Sequence, residues 1–148
     1  MQNNNIILET DTIPHVDLNF MNTTHFEEIE IVKELGEFIS AYQENDTESN
    51  AEKITQLLNI WLEHTEAHFA RENELMQETH FPAYPVHSQE HEMAFKQMET
   101  VIKAWQTDKD IETVAEFVFS YWPDWFNAHV NSMDMMTAKF ALMKGYTE

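Results

Sequence analysis

Two pairs of potential metal ligands stand out in this sequence because each pair has the spacing of one helix face. The first pair is His68 and Glu72, and the second is His87 and His91. Residues four apart on a helix lie one turn above each other, so both members of a pair can reach the same point. One such pair alone is more typical of a solvated helix face than of a metal site, so further ligands are needed.

Three further candidates lie elsewhere in the chain: His25 near the start, and His129 and Asp134 near the end. A separation of five residues on an α-helix is a rotation of about 140°, so His129 and Asp134 cannot both point directly at one atom. A carboxylate that approaches from the side can instead bridge to a neighbouring metal ion. The complete set is five imidazoles and two carboxylates from four predicted helices, and helix bundles build metal sites from such inward-facing side chains.

The types of ligand in this set indicate which metal it would bind. Five imidazole nitrogens, two bridging carboxylates and one solvent-derived oxygen bridge would fill all but one coordination position of two octahedral irons. Imidazole suits iron, copper, nickel and zinc, whereas carboxylates suit harder ions. A mixed set of this size therefore favours iron over calcium and magnesium, which prefer oxygen. Zinc is disfavoured because its sites usually have tetrahedral coordination. The sequence therefore predicts a di-iron centre with an open position.

The elements that must position these residues are predicted to be helices. With two glycines and four prolines in 148 residues, the chain lacks the turn residues that a many-stranded β-fold needs. Ser49 and Glu52 have the spacing of a capping box at the start of the second helix, and Pro82 or Pro85 can occupy the first turn of the third. Pro123 is expected to bend the fourth helix. Apolar periodicity and polar breaks place the first, second and fourth helices over about residues 22–43, 49–79 and 111–144. The third follows a connection at residues 80–85 and runs to about residue 105.

Long helices with short connections predict an all-α fold, an up-down-up-down antiparallel four-helix bundle. Residues 1–20 lack periodicity and contain Pro14, so we expect them to form an extended N-terminal arm, with the bundle domain over residues 21–148. A chain of this length is expected to have one domain with a real core.

Charge and cysteine content exclude several classes of function. The formal net charge of -19 repels nucleic acid and anionic membrane surfaces, so neither is expected as a partner. The absence of cysteine excludes disulfides, iron–sulfur clusters and thiolate zinc sites. The N-terminus lacks a signal-peptide pattern and no apolar run is long enough to cross a membrane, so we expect a cytoplasmic protein.

The complete ligand pattern resembles the hemerythrin family, in particular its single-domain bacterial members. The likeness covers about residues 20–144, and smaller features agree with it. These features include Phe69 directly after His68, Phe81 and Pro82 before His87, and Trp125 and Phe126 ahead of His129. All seven ligand types of the family occur in order: His25, His68, Glu72, His87, His91, His129 and Asp134.

The resemblance implies which residues bind each iron. The coordinatively full iron would have three histidine ligands: His87, His91 and His129. The iron with the open position would have two: His25 and His68. Both irons would share two bridging carboxylates: Glu72 and Asp134. The cofactor would be two iron ions joined by an oxo or hydroxo bridge, with dioxygen as the ligand at the open position.

Five apolar and aromatic residues are predicted to exclude water around the open position, although each of them alone is also typical of core packing. They are Ile29, Phe69, Trp125, Phe126 and Val130. The sequence departs from the family pattern at Asn22-Thr23-Thr24, where an acidic residue and a glutamine are usual, and at Asn73, where a glutamate is frequent. These positions lie outside the predicted ligands, so they bear on the tuning of the iron rather than on its binding.

The remaining candidates have plainer interpretations. If His25 were not a ligand, His15 would be the alternative. We expect His64 at the surface or beside the ligands, and His80 at the surface. Core packing is the preferred interpretation for two sets: the tryptophans Trp61, Trp105, Trp122 and Trp125, and the methionines Met133, Met135 and Met136. The acidic helix face of Glu27, Glu28 and Glu30 is expected to be solvated.

Three functions fit this pattern, and the fold alone does not separate them. They are reversible dioxygen carriage, storage or delivery; sensing of oxygen, nitric oxide or redox state; and a di-iron oxidase, peroxidase or iron-handling role. The imidazole-rich ligand set favours carriage, since fewer anionic ligands stabilise highly charged iron less. We therefore expect a dioxygen-binding protein that is not an enzyme.

Overall fold

Four consecutive helices make up the computed structural model, which describes residues 13–148. The first three are α1 (Asn19–Glu44), α2 (Glu48–Glu78) and α3 (Tyr84–Asp108). The fourth, α4, covers residues 111–143 and is interrupted twice. Its α-helical segments are Ile111–Glu116, Trp122–His129 and Met135–Met143, joined by π-helical turns at Phe117–Tyr121 and Val130–Asp134.

The helices form the predicted up-down-up-down antiparallel bundle. Connections of two to five residues leave each helix antiparallel to the one before it. Each helix packs on its neighbour in sequence, and α4 closes the bundle against α1. None of the helices within residues 13–148 is both long and apolar enough to cross a membrane.

The chain before α1 lies against the bundle. Ile13, Val16 and Leu18 are buried, and the side chain of Asn22 bonds to both the N–H and the C=O of Val16 at 2.9 Å. Glu148, at the other end of the chain, accepts hydrogen bonds from the first two N–H groups of α1. Of the arm predicted over residues 1–20, residues 1–12 lie outside the described residues, and Asn19 and Phe20 already belong to α1.

The start of α2 differs from the predicted capping box of Ser49 and Glu52. The N-cap is Thr47, whose hydroxyl accepts a hydrogen bond from Asn50 N–H at 3.1 Å. Two hydroxyl residues close together can both cap a helix, and the sequence pattern selected the wrong one. In α3, Pro85 occupies the first turn as expected.

The irregularity predicted at Pro123 takes the form of the π-turn Phe117–Tyr121 immediately before it. A proline inside a helix cannot donate to the carbonyl four residues earlier, and its ring collides with that carbonyl, which here belongs to Phe119. A wider turn at this point removes the conflict.

The apolar core extends along the bundle, from Ile13, Val16 and Leu18 beside the start of α1 to Ile39 and Val114 at the opposite end. An aromatic layer lies next to the histidines. In that layer the ring of Trp61 meets Trp122 edge-on at 5.7 Å. Trp105 is fully buried and Trp125 half-buried, so the tryptophans are core residues as predicted. The prediction that Met136 fills the core is wrong, because its side chain is 58% exposed on the outer face of α4.

Candidate metal centre

The seven predicted ligands come together in the interior, at the end of the bundle where α1 and α3 begin and α2 and α4 end. All seven are buried, and their donor atoms form two groups, in each of which the atoms lie within 4.8 Å of one another. We call these the three-histidine group and the two-histidine group, and both contain the two carboxylates. The three-histidine group is His87, His91, His129, Glu72 and Asp134. The two-histidine group is His25, His68, Glu72 and Asp134.

Glu72 faces both groups with different oxygens. Its Oε2 lies 2.7 Å from Nε2 of His68, in the two-histidine group. Its Oε1 lies 3.1 Å from Nε2 of His91 and 3.4 Å from Nε2 of His87, in the three-histidine group. One carboxylate therefore has an oxygen available for each of two adjacent ions.

Asp134 also faces the two groups with different oxygens. Its Oδ2 lies 2.9 Å from Nε2 of His25, and its Oδ1 lies 3.1 Å from Nε2 of both His87 and His129. Both carboxylates thus join the same two groups, which is the arrangement expected of a bridged pair of metal ions.

The pairing of His129 with Asp134 corrects the expectation that residues five apart cannot point at one place. That expectation assumed α-helical geometry, but Val130–Asp134 is a π-helical turn. In a π-helix the hydrogen bond runs from residue i to i+5, so residues five apart lie one above the other. The hydroxyl of Ser132 donates to the carbonyl of Ala128 at 2.7 Å within this irregular stretch.

Four of the five histidines are held from behind through Nδ1 by groups outside the two donor groups, which leaves Nε2 facing inward. The Nδ1 partners are Glu28 for His68 (3.2 Å), Thr137 for His87 (2.8 Å), Asn73 for His91 (3.1 Å) and Glu90 for His129 (2.8 Å). Such outer hydrogen bonds fix the orientation and tautomer of metal-binding imidazoles. Nδ1 of His25 has no partner among the described residues.

Several buried polar atoms at the centre make no hydrogen bond of acceptable geometry with any described residue. They are Nε2 of His91, Oε1 of Glu72 and Oδ1 of Asp134. Leaving a buried donor or acceptor unsatisfied costs about 1–3 kcal/mol each, so native interiors avoid it. All three atoms face the three-histidine group, so one metal ion there would satisfy them at once. The two-histidine group offers a second set of donors beside it, and the donor set therefore fits a metal pair.

Electrostatics in the metal-free protein hold the carboxylates charged. Burial and the neighbouring Asp134 raise the pKa of Glu72, but the imidazoles of His68 and His87 outweigh them and lower it overall. Burial lowers the pKa of His87, yet the nearby carboxylates of Asp134 and Glu72 raise that pKa to about 9. Without metal the centre is thus held by charge pairs, and metal binding must release protons from the histidines.

The five residues predicted to exclude water lie around the ligands. The ring of Phe69 stacks on His91 at 4.0 Å and also meets His68, and Trp125 stacks on His129 at 4.6 Å. Phe126 meets His25 edge-on at 5.5 Å. Ile29 and Val130 are fully buried. All five therefore lie in the interior or against a ligand ring, and their exclusion of water stays a prediction.

Glu28 is the clearest error of the sequence analysis. It was expected to be solvated with Glu27 and Glu30, but it is buried behind His68. The signal was present, because Glu28 follows His25 by three residues and precedes Val32 by four, on the buried stripe of α1. The neighbouring acidic residues Glu27 and Glu30 led to the interpretation of Glu28 as part of a solvated face.

The other histidines lie outside both donor groups. His64 is partly buried between α1 and α2, with Nε2 3.5 Å from Glu27, and His80 is exposed, both as expected. His15, the alternative to His25, is exposed against the ring of Phe26. The outer partners Glu90 and Thr137 were not predicted, although each lies three residues after a predicted ligand.

Fold and centre together define a class of protein: helix bundles whose inward-facing histidines and bridging carboxylates bind a pair of metal ions. The sequence matches the family model described as the hemerythrin HHE cation binding domain over residues 20–141. The chain belongs to the hemerythrin family, as its sequence predicted, and is an iron-binding domain of that type.

Two relatives support this assignment. The chain is 31% identical over 134 residues to the bacteriohemerythrin of Aquifex aeolicus (strain VF5), which covers 90% of this chain and 97% of that protein. It is 32% identical over 88 residues to the bacteriohemerythrin of Ralstonia nicotianae (strain ATCC BAA-1114 / GMI1000), over 60% of this chain and 63% of the relative. No solved structure gives a significant match.

Proposed function

We propose that this protein binds dioxygen reversibly at a non-haem di-iron centre, for carriage, storage or delivery, and that it is not an enzyme. The observation that supports this proposal is the unequal division of histidines between the two donor groups. Both groups share the same two carboxylates, but one has three imidazoles and the other has two. For two octahedral ions that also share one solvent-derived oxygen bridge, the smaller group leaves one position open.

An iron pair bound here would supply that open position and the electrons that reversible dioxygen binding requires. The protein contributes the remaining conditions. Glu72 and Asp134 span both groups, so they would keep the two ions at a fixed separation. The outer hydrogen bonds on Nδ1 hold four imidazoles in position before any metal arrives, which lowers the cost of binding.

The apolar side chains near the two-histidine group support reversible binding. Phe126 covers one side of His25, and Ile29 follows His25 by one turn of α1. A dry surround disfavours the release of charged, reduced forms of oxygen, because such ions are poorly solvated there. Dioxygen itself is neutral and apolar and would leave freely.

The composition of the donor set supports carriage over oxidation. Imidazoles outnumber carboxylates by five to two, and a neutral imidazole stabilises highly charged iron less than a carboxylate does. A centre of this type should resist progress to the more oxidised states that substrate oxidation needs. This comparison favours a binding protein over a di-iron oxidase.

An optical titration tests the proposal. Protein loaded with ferrous iron under anaerobic conditions should develop a new visible absorption band when air is admitted, and lose it when oxygen is removed, over repeated cycles. Metal-free protein treated identically is the control. Rapid irreversible oxidation with consumption of added peroxide would instead support an oxidase or peroxidase, and the proposal would be wrong.

A further inference from the structure

Glu28 is a buried carboxylate that belongs to neither donor group. Its side chain is only 3% exposed, whereas Glu27 and Glu30 on the same helix are 61% and 63% exposed. Burial of a charged group is costly unless hydrogen bonds or opposite charges compensate for it. The contacts of Glu28 must therefore offset the cost of burying its charge.

Both oxygens of Glu28 accept hydrogen bonds from α2. Oε1 lies 3.2 Å from Nδ1 of His68, and Oε2 accepts from Nε1 of Trp61 at 3.0 Å. Trp61 is fully buried, so its indole holds the carboxylate in one orientation. The other ring nitrogen of His68, Nε2, faces Glu72 in the two-histidine group.

This geometry determines how His68 can bind a metal. A carboxylate beside Nδ1 keeps a proton on that nitrogen and leaves Nε2 free to act as the ligand. It also makes the imidazole a stronger donor, since negative charge behind the ring favours positive charge in front of it. Both carboxylate oxygens take part as acceptors, the role that an ionised carboxylate fills.

The setting of Glu28 differs from that of the other outer partners. Thr137 and Asn73, behind His87 and His91, are neutral. Glu90 stands behind His129 in the three-histidine group, but its side chain is 37% exposed and water screens its charge. Glu28 is therefore the one fully buried carboxylate among these outer partners, and it serves the group with fewer ligands.

We propose that Glu28 is a positioning residue that fixes the tautomer and orientation of His68, and so sets the metal affinity of the two-histidine group. The inference rests on the proposed two-metal centre. It concerns the affinity of the two-histidine group for its metal ion, independently of whether oxygen binds there.

Anaerobic calorimetric titration with ferrous iron tests this inference. Wild-type protein should bind two ions. Glu28→Gln should retain one ion at wild-type affinity and bind the other about 10- to 100-fold more weakly, the usual effect of removing such an outer partner. Glu27→Gln, next to it but exposed, is the matched control and should match wild type. Glu28→Asp, which keeps the charge, should recover part of the lost affinity.

The outcomes separate this inference from the proposed function. If wild type binds fewer than two ions, the two-metal proposal fails and this inference fails with it. If wild type binds two ions and Glu28→Gln binds both at wild-type affinity, only the inference is wrong. A purely structural role would lower the melting temperature of Glu28→Gln and leave the ratio of the two affinities unchanged, which would also overturn it.

A second measurement uses wild-type protein alone, in case Glu28→Gln does not fold. In protein loaded with diamagnetic zinc, nitrogen-15 NMR should show His68 with a slowly exchanging proton on Nδ1 and none on Nε2. A proton on Nε2, or an unprotonated Nδ1, would overturn the inference.

Discussion

Glu72 occupies a position from which a single side chain reaches both donor groups. Sequence spacing alone predicted that Glu72 lies beside His68, because residues four apart share a helix face. The same rule identified His87 with His91, and the structure brings all seven predicted ligands together. Their outer partners were harder to predict, because helical spacing can place Glu28 on the buried face of α1 but cannot show that His68 of α2 lies opposite it.

Replacement of Glu72 by alanine should abolish two-metal binding. The variant loses one oxygen from each donor group, so at most one ion should remain. Iron content per chain, measured after anaerobic loading and desalting, checks this expectation. Glu74→Ala, two residues along α2 and exposed, is the control and should keep the wild-type content. Two irons per chain in Glu72→Ala would show that the bridge has been assigned to the wrong residue.

Helix α4 shows why spacing rules sometimes fail at the scale of the element. Apolar periodicity predicted the four helices and their approximate limits, because one face of each helix packs into the core. The same periodicity assumes a regular α-helix, and it could not reveal the turn Val130–Asp134 that brings Asp134 under His129. The turn accommodates one more residue than an α-helical turn would.

Deletion and insertion of one residue in this turn should therefore have opposite effects on metal binding. Deleting Asn131, an exposed residue, should convert the stretch to regular α-helix. His129 and Asp134 would then be four residues apart, the spacing of His68 and Glu72. The deletion variant should keep two-metal binding in the same calorimetric titration, whereas an alanine inserted after Asn131 should lose it. Asn131→Ala controls for loss of the side chain. Loss of binding on deletion, with retention on insertion, would contradict this explanation of the turn.

At the scale of the molecule, an apolar core extends on both sides of the metal centre. This core follows from sequence, since its buried residues recur at helical spacing. The exposure of Met136 does not follow, because apolar residues also occur at protein surfaces. Around the metal centre of the metal-free protein, stability also depends on the ion pairs between histidines and carboxylates, which metal binding would replace.

Stability of the metal-free protein should fall as pH rises through the neutral range. Burial lowers the pKa of His129, but the carboxylates, Asp134 first, raise it overall. The same competition puts the pKa of His68 well above its ordinary value and that of His87 at about 9. A group whose pKa is raised on folding stabilises the fold below its unfolded value, near 6.5, and loses that contribution as pH rises toward its folded value.

Denaturant unfolding of metal-free protein between pH 6.5 and 9 measures this effect. His91, whose pKa burial lowers, opposes the trend, but three histidines outweigh one. Metal-loaded protein is the comparison and should gain stability over the same range, because deprotonated ligands bind metal more tightly. A metal-free protein that grows more stable from neutral pH to pH 9 would contradict the charge pairing described for the centre.

Measured uptake of dioxygen tests the central claim most directly. With ferrous iron loaded and oxygen followed by an electrode in a closed cell, the protein should take up one dioxygen for each pair of irons and return it when the solution is purged. One open position in the two-histidine group predicts this ratio. Uptake that is not returned, or that continues beyond one dioxygen for each iron pair, would contradict reversible binding.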